Sequence, residues 1–358
     1  MNYHSEINIG SQKISINDPT YFIADVASNH DGDLARAKEL IWLSKEAGAD
    51  AVKFQHFHAD KIVSDQGFKS LGRQSSHQSK WDKSVYDVFK KYELNRDWNL
   101  ELVKEAQKAK IEFLTTPYDI DAVDEINNHL SAFKIGSGDI SWIEFIKYIA
   151  QKGKPTLLAT GASDFSDVKR AVNAITNINP KIVLMQCNTN YTGSLENFKY
   201  INLNVLKTYS LMYPNMILGL SDHTPGHSTV LGAIALGARV IEKHFTDDNN
   251  RIGPDHPFSM NPSSWCEMVN RTRELENALG DGVKVIEENE KETVIVQQRG
   301  IYLKENVTKG HFLTIKDFEF LRPALKSGYF PYEAEELVGM EMKYEKKVGE
   351  PLIKGDLQ

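Results

Sequence analysis

A chain of 358 residues is longer than one average domain and leaves room for a large barrel with a small appendage. Its 41% hydrophobic and 25% charged residues are those of an ordinary globular protein, and 42 basic against 49 acidic side chains, a net charge of -7, argue against a dedicated nucleic-acid or membrane-surface binder. The start, MNYHSEINIGSQKISIND, lacks the apolar centre of a signal peptide, and no run approaches the roughly 18 apolar residues of a membrane span, so a cytoplasmic location is expected.

Eight short apolar or β-branched runs then follow in order: YFIADVA, AVKFQHF, IEFLTTPY, AFKIGSG, PTLLATG, IVLMQCN, MILGLSD and ARVIEKHF. Helical periodicity separates most of them. In DLARAKELIWLSKEAGA the apolar Leu34, Ala37, Ile41 and Ala47 recur at helical steps and Gly48 supplies the stop, and PSSWCEMVNRTRELENALG repeats the pattern through Trp265, Val269, Thr272 and Leu279. Eight strands that alternate with helices and are apolar on both faces predict an α/β fold, a (β/α)8 TIM barrel, with an open doubly wound sheet as the rival.

One connection breaks the rhythm. Between His58 and a helix expected near Asn95 lies a long polar and aromatic stretch, and loops of that length in compact domains are usually functional or disordered. After Gly280 the pattern changes again. The barrel is expected over 1–280, a charged linker over 281–292 and a small β-rich domain over 293–358. The two cysteines, Cys187 and Cys266, are far apart and are expected to pack as small apolar groups.

Barrels carry their functional residues at the carboxyl ends of the strands, and residues two apart on a strand share a face. Lys53 and Gln55, Ser221 and His223, and Glu242 and His244 form such pairs, and Asp25, Thr116 and Lys134 join them from other strands. Opposite charges packed so densely are costly to bury unless paired or liganded, and an anionic substrate with a metal would satisfy them. Lys53 and Lys134 suit a phosphate or carboxylate, with Ser137 and Ser221 as neutral donors. The glycines of KIGSG and ATG would let backbone amides approach the same anion. His223 and His244 could share one divalent cation, and Asp25 or Asp255 could complete its coordination or move a proton.

FIADVASNHDGDLARAKELI, TTPYD, FKIGSGD, LLATGAS, GLSDHTPG and EKHFTDDNNRIGPDHPFSM together resemble the sialic acid synthase family, and LRPALKSGYFPYEAEELVG is similar to that family's antifreeze-like (SAF) domain. The resemblance implies a metal-dependent barrel, using manganese or magnesium, that condenses phosphoenolpyruvate with an N-acyl hexosamine such as N-acetylmannosamine. It further implies a homodimer in which the tail domain covers the partner's barrel. Carried over, phosphoenolpyruvate contacts fall on Lys53, Thr116, Lys134, Ser137, Ser221 and His223, the metal ligands are His223 and His244, and sugar contacts fall on Gln55, Asp139, Tyr191, Asp255 and Arg322. Asp25 stands where the family has a catalytic glutamate, Asp139 replaces another glutamate, and Ala159 replaces a frequent serine. Around Cys187 the sequence CNTNYTG departs from the usual CTNxYP and leaves open which of Asn188, Thr189 and Asn190 meets the ligand. These departures fall in the sugar pocket and leave room for a deoxy, diacetamido hexose yielding a legionaminate-type acid.

Other readings are an aldol-type synthase making a keto-deoxy sugar phosphate, which would need a second basic pocket, and a sugar-binding barrel without catalysis. His56 and His58 form an HxH pair of the kind metallohydrolases use, but their parity opposes that of Lys53 and a structural role is expected. The alternative for the tail is a stability or dimerisation module with no part in the chemistry.

Overall fold

The computed structural model describes residues 2–71, 78 and 81–358. The chain divides into two compact units, 1–280 and 281–358.

The first unit opens with a hairpin that the sequence reading did not anticipate, β1 (Glu6–Ile9) and β2 (Gln12–Ser15), turning at Gly10 with φ +58. Eight parallel strands follow: β3 (Tyr21–Asp25), β4 (Ala51–His56), β5 (Glu112–Pro117), β6 (Phe133–Ile135), β7 (Thr156–Ala159), β8 (Ile182–Cys187), β9 (Ile217–Asp222) and β10 (Ala238–His244). They run in chain order, and β10 pairs with β3 to close the barrel, which excludes the open doubly wound sheet. Each of the eight expected runs supplies one strand.

Strand parity sorts the side chains into two cores. Outward residues such as Phe22, Val52, Phe54, Phe133, Leu184 and Ile241 pack beneath the helices. Inward residues Tyr21, Ile23, Ala51, Leu114, Ala132, Leu157, Val183, Met185, Ile217 and Val240 fill the barrel's lower half, joined by Ile7, Ile9 and Ile14 of the hairpin. Gly219 shares the inward parity, and a Cβ there would lie 2.6 Å from the Val240 carbonyl oxygen and 3.0 Å from Met185. Above this apolar plug the inward positions turn polar, as barrel interiors must where they open to ligands.

The helix Leu34–Glu46 is capped by Asp33, whose carboxylate accepts from the amides of Ala35 and Arg36, and the chain leaves it through Gly48 at φ +95, the expected stop. The helix Pro262–Leu279 buries Trp265, Met268 and Thr272. Val269 is half-buried and Leu279, its last residue, is exposed. Cys187 is buried as expected, but Cys266 is exposed, because it follows Trp265 by about 100° of helical rotation and leaves the buried face. The long connection after β4 carries helices Ala59–Ile62, Asp65–Ser70 and Val85–Tyr92 before the helix Asn99–Ala109.

In the second unit a short helix, Lys291–Gln297, crosses the boundary expected between linker and domain. It precedes the antiparallel pair β11 (Gly300–Leu303) and β12 (Phe318–Leu321), a set of single bridges, and a core of Ile301, Leu303, Leu313, Leu352 and Leu357 among others. No helix among the described residues is long and apolar enough to cross a membrane.

Candidate active site

The polar rows at the carboxyl ends of the strands line one cavity of about 290 Å³. Asp25, Lys53, Thr116, Lys134, Ser221 and Glu242 form its floor, each from a different strand. Asp25 Oδ2 accepts from Lys53 Nζ at 2.7 Å and Gln55 Nε2 at 3.0 Å, while Lys53 also donates to Thr116 Oγ1 at 2.9 Å. Glu242 Oε1 accepts from Lys134 Nζ at 2.8 Å and Ser221 Oγ at 3.3 Å and lies 3.8 Å from Lys53 Nζ. The buried charges therefore pair with one another, Lys53 with Asp25 and Lys134 with Glu242, and ligands are not needed to neutralise them.

Burial pushes the Asp25 carboxyl up, but the charges of Lys53 and His244 outweigh it and hold the group down at about 2. Burial likewise works against the Lys53 ammonium, and Asp25 and Glu242 more than compensate, so its pKa rises. Parity alone gives Glu242 an inward face but no task. It proves to be the bridge between the two lysines, and its Oε2 is buried without a hydrogen bond among the described residues.

Above the floor stand the two imidazoles, with ring centroids 5.3 Å apart. His223 Nδ1 donates to the Asn188 carbonyl at 2.8 Å, which leaves Nε2 bare, and burial together with the neighbouring His244 lowers its pKa to about 3. His244 Nε2 lies 3.7 Å from Asp25 Oδ2, and its buried Nδ1, 3.9 Å from Asp255 Oδ2, has no hydrogen bond among the described residues. Tyr191 packs at 4.3 Å from the His223 ring and Phe258 at 4.9 Å from His244, fixing both planes. No group of three metal-ligating side chains is assembled among the described residues. Two imidazoles with uncommitted nitrogens are nonetheless a donor set that fits a divalent cation with open positions.

Ser137 and Ala159 line the same cavity, as do Gln55, Tyr191 and Asp255, the last held by the Ser28 amide at 3.1 Å. Three expectations change. The Gly161 amide is already committed to Ser137 Oγ at 2.9 Å, so of the glycines only Gly136 and Gly138 border the cavity. None of Asn188, Thr189 and Asn190 lines it: the first holds His223 and Tyr200 by its backbone and side chain, and the Asn190 carboxamide ties down Thr192 and Asn197. Asp139 also lies outside the lining, because the 3-10 turn Ser137–Asp139 rotates it away from Ser137.

Asp139 Oδ2 is buried without a hydrogen bond among the described residues, and desolvation raises the carboxyl to about 7. A folded-state pKa above the unfolded value means that stability falls as pH rises from about 4 to 7. Asp139→Asn should therefore raise the melting temperature at pH 8 and change it little at pH 4, as followed by thermal melts. An equal shift at both pH values would contradict the assignment.

His56 serves the structure, as expected. It bonds Thr115 Oγ1 at 2.5 Å and Asn99 Oδ1 at 2.7 Å, and burial lowers its pKa to about 4. His58 sits outside the cavity lining, 3.7 Å from Glu93. Arg322 is exposed at the end of β12 in the second unit.

The sequence profile of the NeuB family matches residues 40–284, and that of the SAF domain matches 298–358. The chain belongs to the NeuB family. Relatives include the N,N'-diacetyllegionaminic acid synthase of Campylobacter jejuni, 34% identical over 89% of this chain and 95% of that protein, and its namesake of Legionella pneumophila, 32% identical over 93% of each. Among solved structures, the N-acetylneuraminic acid synthetase of Leptospira borgpetersenii superposes with a TM-score of 0.71 at 28% identity, covering 81% of this chain and 95% of that one.

Proposed function

We propose that this chain condenses phosphoenolpyruvate with an N-acylated hexose, releasing phosphate and forming a nonulosonic acid. The observation that carries this reading is the floor: two lysines from β4 and β6, flanked by the hydroxyls of Thr116, Ser137 and Ser221, converge below two imidazoles. Phosphoenolpyruvate presents a phosphate and a carboxylate on three carbons, and two ammonium groups with hydroxyl donors match both. The names of the family relatives favour a diacetamido acceptor as much as N-acetylmannosamine.

Lys53 and Lys134 hold the two anionic groups and orient the enol carbon toward the acceptor's carbonyl carbon. As the carbon–carbon bond forms, positive charge develops at carbon 2, and the carboxylates of Asp25 and Glu242 stabilise it. Water adds to carbon 2 and gives up a proton, which Asp25, held ionised by Lys53, is placed to accept. The resulting tetrahedral centre expels phosphate with its bridging oxygen, its hydroxyl proton leaving with the phosphate, while the proton taken by Asp25 passes to the alkoxide formed from the acceptor's carbonyl, and the 2-keto acid remains. His223 and His244 would hold manganese or magnesium, which supplies Lewis acidity at the acceptor oxygen when bound. Both lysines already face carboxylates, so a dication held by His223 and His244 would also offset the charge that phosphoenolpyruvate brings.

The test is a screen of phosphate release from phosphoenolpyruvate over N-acylated hexoses. Release that depends on the acceptor supports the reading, and its absence with every acceptor favours a binding barrel without catalysis.

A further inference from the structure

We infer that a buried ion pair outside the cavity, Asp222 with Lys243, sets the placement of His223 against His244 and so the affinity of the two imidazoles for a divalent cation; this rests on the metal site proposed above. The pair lies on the other face of the same two strands. Asp222 and Lys243 are register partners at the carboxyl ends of β9 and β10, and each immediately precedes one of the histidines. Their parity is that of Leu220 and Ile241, which belong to the apolar layer beneath the helices, and neither lines the cavity. Asp222 is 3% and Lys243 1% exposed, so both charges are withdrawn from solvent, and nothing in the condensation uses them.

The two histidines are not held alike. His244 is the last residue of β10, paired with Asp25 of β3, and its carbonyl accepts from the Met260 amide at 2.8 Å. His223 lies one residue beyond the end of β9, where the ladder to β10 has stopped. Lys243 supplies the missing hold. Its ammonium donates to the carboxylate of Asp222, the residue before His223, and to the carbonyl of Thr224, the residue after it, the latter at 2.6 Å. Asp222 closes the turn from the other side, its Oδ1 accepting from the Thr224 amide at 3.2 Å and its Oδ2 from the hydroxyls of Thr224 and Thr229, each at 2.8 Å. His223 is therefore strapped at both flanks to the residue that precedes His244. The Asn188 carbonyl then fixes the rotation of its ring.

Stability alone does not call for this arrangement. Replacing a wholly buried ion pair by apolar side chains of the same volume is often neutral or stabilising, and the surrounding layer already supplies apolar partners. What charge-assisted bonds add is direction: a short fixed path, through Lys243, between two rings that must present their uncommitted nitrogens to one ion. A cation gains fully from two ligands only when their separation is set before it arrives, since otherwise the ordering of the ligands is subtracted from the binding free energy.

The test measures manganese binding to the purified protein by electron paramagnetic resonance, without substrates, together with thermal melts. The double variant Asp222→Leu with Lys243→Met removes both charges at similar volume. It should keep a melting temperature near that of the wild type yet bind manganese roughly 10- to 100-fold more weakly, the range for groups that orient metal ligands. Thr229→Val takes a hydrogen bond from the same carboxylate without cutting the tie to Lys243, so it should lower the melting temperature and leave manganese affinity unchanged. Wild-type affinity in the folded double variant, or an equal loss in Thr229→Val, overturns the proposal. If the double variant does not fold, Asp222→Asn decides: it keeps the side-chain shape and the acceptor for the Thr224 amide and weakens the bond to Lys243, so affinity should fall several-fold, and an unchanged value overturns the proposal. A wild type that binds no manganese is a different result: it removes the metal itself, and the role of the pair with it, and leaves the condensation to the phosphate assay.

Discussion

Lys53→Met should destabilise the barrel by about 3–5 kcal/mol and abolish turnover, because it leaves Asp25 buried without its counter-ion and Glu242 with one lysine in place of two. Adding Asp25→Asn should recover much of the stability and none of the activity. The pH dependence has a definite sign. Asp25 is depressed from 3.8 to about 2, so its contribution is present above pH 4 and fades as pH falls toward 2. Lys53 is raised, so its own contribution is complete at neutral pH. Melting temperatures of the single and double variants at pH 7 and pH 3 check this. A single variant as stable as the wild type at pH 7 would mean that the pair does not hold the floor together.

His223→Ala and His244→Ala form the second case. Both rings stand at the cavity surface above an intact floor, so each substitution should leave the melting temperature nearly unchanged while lowering kcat on the order of a thousandfold. The metal content of purified protein provides a second readout, with manganese or magnesium retained by the wild type and lost from each variant. Chelation of the wild type should stop turnover, and adding either ion back should restore it. Full activity in chelator would reject the metal.

The barrel was legible because its strands are apolar on both faces and end in polar residues, a pattern that each run repeats. Parity alone brought Asp25, Lys53, Thr116, Lys134 and the two histidines to one mouth. It could not reveal that Lys134 meets Glu242, 108 residues away, because that contact exists only once the barrel closes. The hairpin was missed because EINI and QKIS are four residues each and alternate within a polar start. Asp139, a sugar contact only by the family resemblance, lies outside the cavity lining on a 3-10 turn, which, unlike a strand, does not return every second residue to the same face.

In the proposed condensation, carbon 3 of phosphoenolpyruvate bonds to the acceptor and phosphate leaves by cleavage of its bond to carbon 2. Phosphoenolpyruvate labelled with oxygen-18 in the bridging position tests both parts at once, with the released phosphate and the organic product weighed by mass spectrometry. The prediction is that the label appears in phosphate, that release requires the acceptor, and that the product is the acceptor enlarged by a three-carbon keto acid. Label retained in pyruvate, or phosphate released at the same rate without acceptor, would contradict it.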